Sequence, residues 1–457
     1  MKDYLRRAGA TFRSLMNDLK RNEETAAREL GVEVSLIEQI IAGVHPIPFE
    51  LIREAVRVWP VNERDFFPLR DDAPDGVILM REEDSAATAR VLQRGGKNYY
   101  EYRDTAMSRT AMIRPEWIRI LHHVNDSDPQ NQTIEWNNGH FLYQFTYFVG
   151  EVNYYYEFAG IRRCIPMFTG DSVFGLPFSR HTFATRNSGA SGLILALTYG
   201  GRLLGDPQHE LGALGAETAR KFVIETGSRR QAQAALLTMH AQNGSYSAAY
   251  LAQQSALTLP QIHRMLKGED AIDEEIVVLL AKAMRISPRE LTPVMSDTED
   301  GIVISRGKHG KAWLLPDDIH PAYRLKELAG SCVTPFSKAM EVGVLRSKVE
   351  PPFFFEMGLH EYGYQLGPGP VLLDWFDGHS PHSTILRPGD SFYVRPFVSH
   401  SFRLVANAKT GAAHLVLLRV AGRVAGDTLL EASILGTGSV HRIAEENKCW
   451  YEAKAAP

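Results

Sequence analysis

Three polar side chains in two short segments have the right types to hold a metal. The stretch WNNGHFLYQFTYF (136–148) carries an imidazole at His140 and a carboxamide at Gln144, and GDSVFGLPFSRHTF (170–183) carries a second imidazole at His181. Neutral imidazole suits divalent iron, and two His with one carboxylate is the donor set of many non-haem Fe(II) oxygenases. If 136–148 is extended, side-chain alternation puts His140, Leu142, Gln144 and Thr146 on one face and Phe141, Tyr143, Phe145 and Tyr147 on the other. No carboxylate accompanies His140 on its face, and the residue six before His181 is Gly175, which has no side chain. Gln144 is then the nearby side chain that offers an oxygen, which makes it a candidate neutral third ligand. The competing reading of any one of these histidines is a hydrogen-bonded core residue.

The elements that must position these groups come in two copies. IIAGVHPIPFELIREAVRVWPVNERDFFP (40–68) aligns without gaps on MLKGEDAIDEEIVVLLAKAMRISPRELTP (265–293), with Gly43 on Gly268 and Pro68 on Pro293. DGVIL (75–79) matches DGIVI (300–304), GDSVFGLPFSRHTF matches GDSFYVRPFVSHSF (389–402), and GRLLGD (201–206) matches GRVAGD (422–427). Such self-similarity marks a duplicated unit. Each copy opens with apolar residues at helical spacing, as in TAARELGVEVSLIEQIIAG (25–43), where a glycine separates two short helices in the manner of a helix-turn-helix. Each copy then turns β-rich, with short alternating aromatic runs and punctuation such as LGPGP (366–370). The expected fold is α+β and multidomain. A helical domain at 1–72 and a β-barrel at 73–206 are followed by a second helical domain at 207–296 and a second barrel at 297–457.

A chain of 457 residues exceeds one core, consistent with several domains. A net charge of -4 argues against a protein that coats nucleic acid or an anionic membrane. Cys164, Cys332 and Cys449 are scattered and odd in number, which points to a reducing, cytoplasmic setting. The longest apolar run, GLILALTY (192–199), is too short to span a bilayer. DNA reading is also disfavoured. The would-be recognition helix SLIEQIIAG (35–43) has Glu38 and neither Arg nor Lys, although LPQIHRMLKG (259–268) in the second copy is more basic.

The Gly-Asp pair and trailing His of GDSVFGLPFSRH resemble the second motif of cupins, jelly-roll barrels in which a turn delivers that His to a metal. Over its whole length the chain resembles the non-haem iron enzymes that act on 2-hydroxyethylphosphonate, the hydroxyethylphosphonate dioxygenase and methylphosphonate synthase family. MNDLKRN (16–22), QRGGKNYYEY (93–102), NNGH (137–140) and GDSVFGLPFSRH (170–181) carry the likeness. The dioxygenase pattern places a Glu where this chain has Gly175, whereas the synthase pattern uses two His and a Gln four residues after the first. The resemblance implies Fe(II) held by His140, Gln144 and His181. It implies a phosphonate bound by Arg94, Tyr102 and Asn137, and closed over by Lys20, which counts among the catalytic groups. The expected reaction cleaves the C1–C2 bond of 2-hydroxyethylphosphonate with O2 to give methylphosphonate and CO2 or bicarbonate. Two alternatives stay open: a dioxygenase giving hydroxymethylphosphonate and formate, and a helix-turn-helix cupin regulator that senses a small ligand. The expected partners are substrate, O2 and further copies in a homo-oligomer.

The second copy keeps His400 and has His360 near the position expected for a counterpart of His140. Glu361 adjoins His360, so the two point to opposite faces of a regular strand, and Gln365 has the wrong parity without a bulge. The expected second barrel is a degenerate, structural copy.

Overall fold

Short helices with well-formed ends open each half of the computed structural model, which describes residues 2–187, 189, 191–224, 227–348, 353–405, 413–445 and 449. The helix Glu23–Leu30 starts at Asn22, whose side chain accepts from Thr25 N, and stops at Gly31 in the left-handed region. Val34–Ile41 follows it. Gly43 also has positive φ, and a Cβ there would lie 2.6 Å from Arg6 Cα, so the turn after this helix packs on the chain's first helix, Lys2–Asp18, only as glycine. Phe12, Ile37, Ile40, Leu51, Ile52, Trp59 and Phe66 form the core of this section. In the second half Leu237, Leu251, Ile262, Met265 and Leu280 form the equivalent core, and Gly268 again takes positive φ.

The β-rich sections each form two antiparallel sheets, of seven and of three strands. In the first half the larger sheet runs in the order 302–305, 172–175, 143–149, 193–199, 113–120, 97–104, 90–94; the smaller pairs Val152–Phe158 with Ile161–Met167 and Arg180–Thr185. The second half repeats this order as 77–80, 391–394, 360–365, 414–420, 337–344, 323–327, 312–315, with Val371–Phe376 central in its small sheet. Among the described residues the strands close into no barrel, contrary to expectation. The strand pairings leave open sheets whose inner faces pack together, through Phe148, Tyr154, Phe183 and Ile194 in the first half and Phe392, Phe402, Leu415 and Leu417 in the second.

The two halves exchange strands. Val77–Met80 pairs with Ser391–Val394 of the second half, and Ile302–Ser305 pairs with Ser172–Gly175 of the first. Each incoming strand is pinned at the Gly-Asp turn of the host. Arg81 Nη1 lies 2.7 Å from Asp390, which also accepts from Glu82 N, while Arg306 Nη1 lies 2.7 Å from Asp171, which also accepts from Gly307 N. The spans 73–206 and 297–457 therefore each contribute their first strand to the other's sheet. The outer faces of the two large sheets pack against one another through Phe145, Tyr147, Leu195 and Leu197 on one side and Tyr362, Tyr364, Val416 and Leu418 on the other. No described helix is long and apolar enough to cross a membrane.

Candidate metal centre

The strand that carries Gln144 begins only at Tyr143 and runs to Val149, so His140 lies outside it. The expectation of one continuous strand across 136–148 fails for a local reason. Asn137 Oδ1 accepts from Gly139 N, and Gly139 takes a φ of 73° with a virtual Cβ 2.5 Å from Phe178 O, a conformation and an approach open to glycine alone. The chain then crosses the 170–181 turn, where Phe178 N donates to His140 O at 2.8 Å and Phe141 stacks on Phe178. His140 is thereby folded back over Gln144 from a loop. The strand alternation holds for Gln144 and Thr146, which share the inner face, Gln144 Nε2 donating to Thr146 Oγ1 at 2.8 Å.

The three donors converge. His140 Nε2 lies 2.8 Å from Gln144 Oε1, and the His140 and His181 rings stand edge to face with centroids 5.3 Å apart. Nδ1 of His140 faces Leu142 O at 3.0 Å and Nδ1 of His181 faces Ser179 O at 2.9 Å. A carbonyl only accepts, so both rings carry their proton on Nδ1 and, when neutral, turn an Nε2 lone pair inward. Such a backbone tether on the outer nitrogen is the usual support of a metal-binding imidazole. His140 Nε2 and Gln144 Oε1 then present two lone pairs to each other, which a cation between them satisfies. Burial, with His140 and Arg94 nearby, lowers the His181 pKa to about 4 against the raising effect of Ser179 O, so His181 is a neutral donor at ordinary pH. The donor set fits a single divalent ion. Among the described residues no three His, Cys, Asp or Glu side chains cluster as a metal site, so a metal here would take its third protein donor from the amide.

A pocket of about 260 Å³, part of it open to solvent, lies over these groups; Thr146, Tyr154, Val173, Gly175, Leu176 and Ser179 complete its wall. Gly175 stands directly opposite Gln144 in the register, and a Cβ there would meet nothing nearer than Gln144 O at 4.0 Å. The glycine leaves room beside the donors where a side chain could have entered.

The other sequence candidates fall at graded distances. Asn137 belongs to the centre: its Oδ1 accepts from His181 N at 2.8 Å and its Nδ2 faces His181 Nε2 at 3.2 Å. Arg94 follows at the rim, placed by the Gly95-Gly96 turn, both glycines having positive φ as such a hairpin requires. Its guanidinium lies over Tyr99 and Tyr100 and reaches toward Thr182 beside His181 at 3.5 Å. Tyr102 meets Tyr100 edge to face and is buried enough to push its pKa up to about 12, so it stays a neutral hydroxyl. Lys20 is not brought to the pocket; its Nζ donates to Asp18 O at 2.8 Å at the end of the first helix. Thr146, already placed on the face of Gln144, proves to support it, and sequence reasoning missed two further supports: Tyr100, whose OH lies 2.9 Å from Thr182 Oγ1, and Arg180, whose Nε donates to Asn137 O while Nη1 pairs with Glu157. Tyr100 and Arg180 both lie within the motifs quoted above, where adjacency to Arg94 or His181 was the available signal.

The fold and centre define a duplicated α+β protein whose first half brings two imidazoles and a carboxamide together. No family model matches the chain. It is 37% identical over 456 residues to the methylphosphonate synthase of Nitrosopumilus maritimus (strain SCM1), covering 99% of this chain and 97% of that one. Among solved structures it is similar to the HEPD of Streptomyces albus with 2-hydroxyethylphosphonate and Fe(II) bound, with a TM-score of 0.92, 38% identity, and coverage of 98% and 99% of the two chains. PhpD with cadmium, 15% identical at a TM-score of 0.72, shares the fold. The chain belongs to the family of methylphosphonate synthase and HEPD.

Proposed function

We propose that this protein is a methylphosphonate synthase that converts 2-hydroxyethylphosphonate and O2 to methylphosphonate and either CO2 with water or, hydrated, bicarbonate. The observation that carries the reading is the convergence of His140, Gln144 and His181 opposite the side-chain-free Gly175. It is supported by the full-length relative that bears this name. Substrate and O2 together balance as methylphosphonate, CO2 and one water, so no further reductant is required.

Fe(II) held by the three residues would supply open positions for substrate and O2 and the one-electron chemistry that lets O2 react, the substrate furnishing the net electrons. The remaining work falls to the chain. Arg94, forked and held on an aromatic bed, would bind a phosphonate with charge-assisted hydrogen bonds, and Tyr102 would add a neutral donor. Asn137 fixes the His181 backbone and, through its Nδ2, addresses the same space. Lys20 joins this set only if the helical section closes over the pocket or a second copy delivers it, and the reading includes an oligomer for that reason. Each two-sheet section is read as a jelly roll of the cupin type, the second without metal, and the enzyme as cytoplasmic.

The dioxygenase outcome, hydroxymethylphosphonate with formate, is the second reading; the HEPD of Streptomyces albus is as similar in sequence as the synthase. The test is O2 uptake by anaerobically Fe(II)-loaded protein. Uptake should require both iron and 2-hydroxyethylphosphonate and release CO2 in amounts equal to the O2 consumed. Stoichiometric formate would establish the second reading, and no substrate-dependent uptake would sink both.

A further inference from the structure

The second half contains a position-for-position counterpart of the metal centre, and hydrogen-bond register identifies each member. Gly175 and Val394 hold the same place in the two Gly-Asp motifs; Gln144 pairs with Gly175 and Glu361 with Val394. Glu361 is therefore the counterpart of Gln144. Across the neighbouring strand Gln144 faces Thr198, whereas Glu361 faces Arg419. His181 and His400 correspond, and His400 Nδ1 has the same tether, to Val398 O at 2.9 Å. The carbonyl of Met357 accepts from Phe397 N at 2.8 Å as that of His140 accepts from Phe178 N, and both phenylalanines take the left-handed conformation. Met357, not His360, thus stands where His140 stands. His360 points to the other face, with Nδ1 2.6 Å from Tyr393 OH, as the parity argument required.

The second half has one imidazole and one carboxylate aimed at the site, and a guanidinium has arrived between the sheets with them. Glu361 Oε1 lies 2.9 Å from His400 Nε2 and Oε2 lies 2.6 Å from Arg419 Nε, with Glu361 and His400 each 1% exposed. Arg419 also lies over Phe355 at 5.0 Å, and its Nη2 is buried without a hydrogen-bond partner among the described residues. A buried carboxylate demands a partner cation. Despite the opposing effect of burial, Arg419 and His400 hold the Glu361 pKa down to about 2, so it is ionised.

We propose that the Arg419 guanidinium is a built-in cation in the place that the first half reserves for metal. The chain consequently takes one metal ion, and Met357, Glu361 and His400 mark a latent second site closed by Arg419. Exchanging Arg419 for the Thr of the first half and Met357 for its His would open a two-His, one-carboxylate site. The inference rests on metal binding in the first half only for the count of one in the unaltered chain.

The test is Co(II) binding, read by equilibrium dialysis and by ligand-field absorption. A His140→Ala/His181→Ala chain should bind no Co(II), which isolates the second half from the first. Adding Met357→His and Arg419→Thr should restore one equivalent, and a further Glu361→Gln should abolish it. Circular dichroism establishes folding, and refolding that succeeds only in Co(II) counts as binding. If the opened chain folds without taking up Co(II), or fails to fold with and without Co(II) while Met357→His/Arg419→Met folds, the inference is overturned. It is equally overturned if the unaltered chain binds two equivalents and Glu361→Gln removes one. Failure of the first-half reading alone would appear differently, as an unaltered chain that binds none while the opened chain binds one.

Discussion

Gln144 and a glutamate differ by a whole unit of charge at the position where the metal would sit. Thr146 accepts from the amide nitrogen and so turns the amide oxygen toward His140 Nε2. A neutral donor would leave a bound Fe(II) one unit more positive than a carboxylate would, which would disfavour higher oxidation states and with them hydroxylation of the one-carbon fragment. Gln144→Glu is therefore expected to bind Fe(II) more tightly and to shift product toward hydroxymethylphosphonate. An unchanged product ratio in that variant would remove donor charge as the cause of the outcome. His181 is expected to tolerate acid as a donor, since its pKa of about 4 keeps it neutral through the ordinary range.

At the scale of elements, the centre depends on a loop that alternation patterns cannot describe. The sequence shows His140 and Gln144 four apart, and a strand of that length would separate their side chains along one face. The Asn137 turn and the positive φ of Gly139 instead swing His140 back until Nε2 and Oε1 are 2.8 Å apart. Gly139→Ala forces a Cβ to within 2.5 Å of Phe178 O at an unfavourable φ. We expect a loss of metal affinity of roughly 10–100-fold, the scale seen when supports of metal ligands are removed, with secondary structure kept. Isothermal titration with Co(II) and circular dichroism measure the two. The candidate donors were legible because residue type and spacing reported them; that they lie together was not, because it arises from a contact with the 170–181 turn. The same limit applied to Lys20, whose motif was visible while its position at the end of the first helix was not.

At the scale of the whole molecule, the duplication was plain in the repeated motifs, but the exchange of strands was not. A strand such as Val77–Met80 has the same pattern whichever half hosts it, and only tertiary pairing with Ser391–Val394 decides. The exchange ties the two halves together, with Arg81 on Asp390 and Arg306 on Asp171 at the crossing strands. Asp390 is 2% exposed and would retain the amides of Glu82 and Arg387 after Arg81→Ala. That substitution should cost about 3 kcal/mol, the low end for breaking a buried pair, and urea unfolding reads it. The loss should be smaller for Arg306→Ala, because Arg306 is more exposed. The catalytic reading also belongs to the whole molecule, since the first half's site is walled partly by the sheet that the second half completes. Its most direct test is phosphorus NMR of anaerobically Fe(II)-loaded protein mixed with 2-hydroxyethylphosphonate and then with O2. The account predicts a methylphosphonate resonance that grows as substrate disappears and is absent from His140→Ala. Hydroxymethylphosphonate as the main product, or unchanged substrate with iron bound, would contradict it.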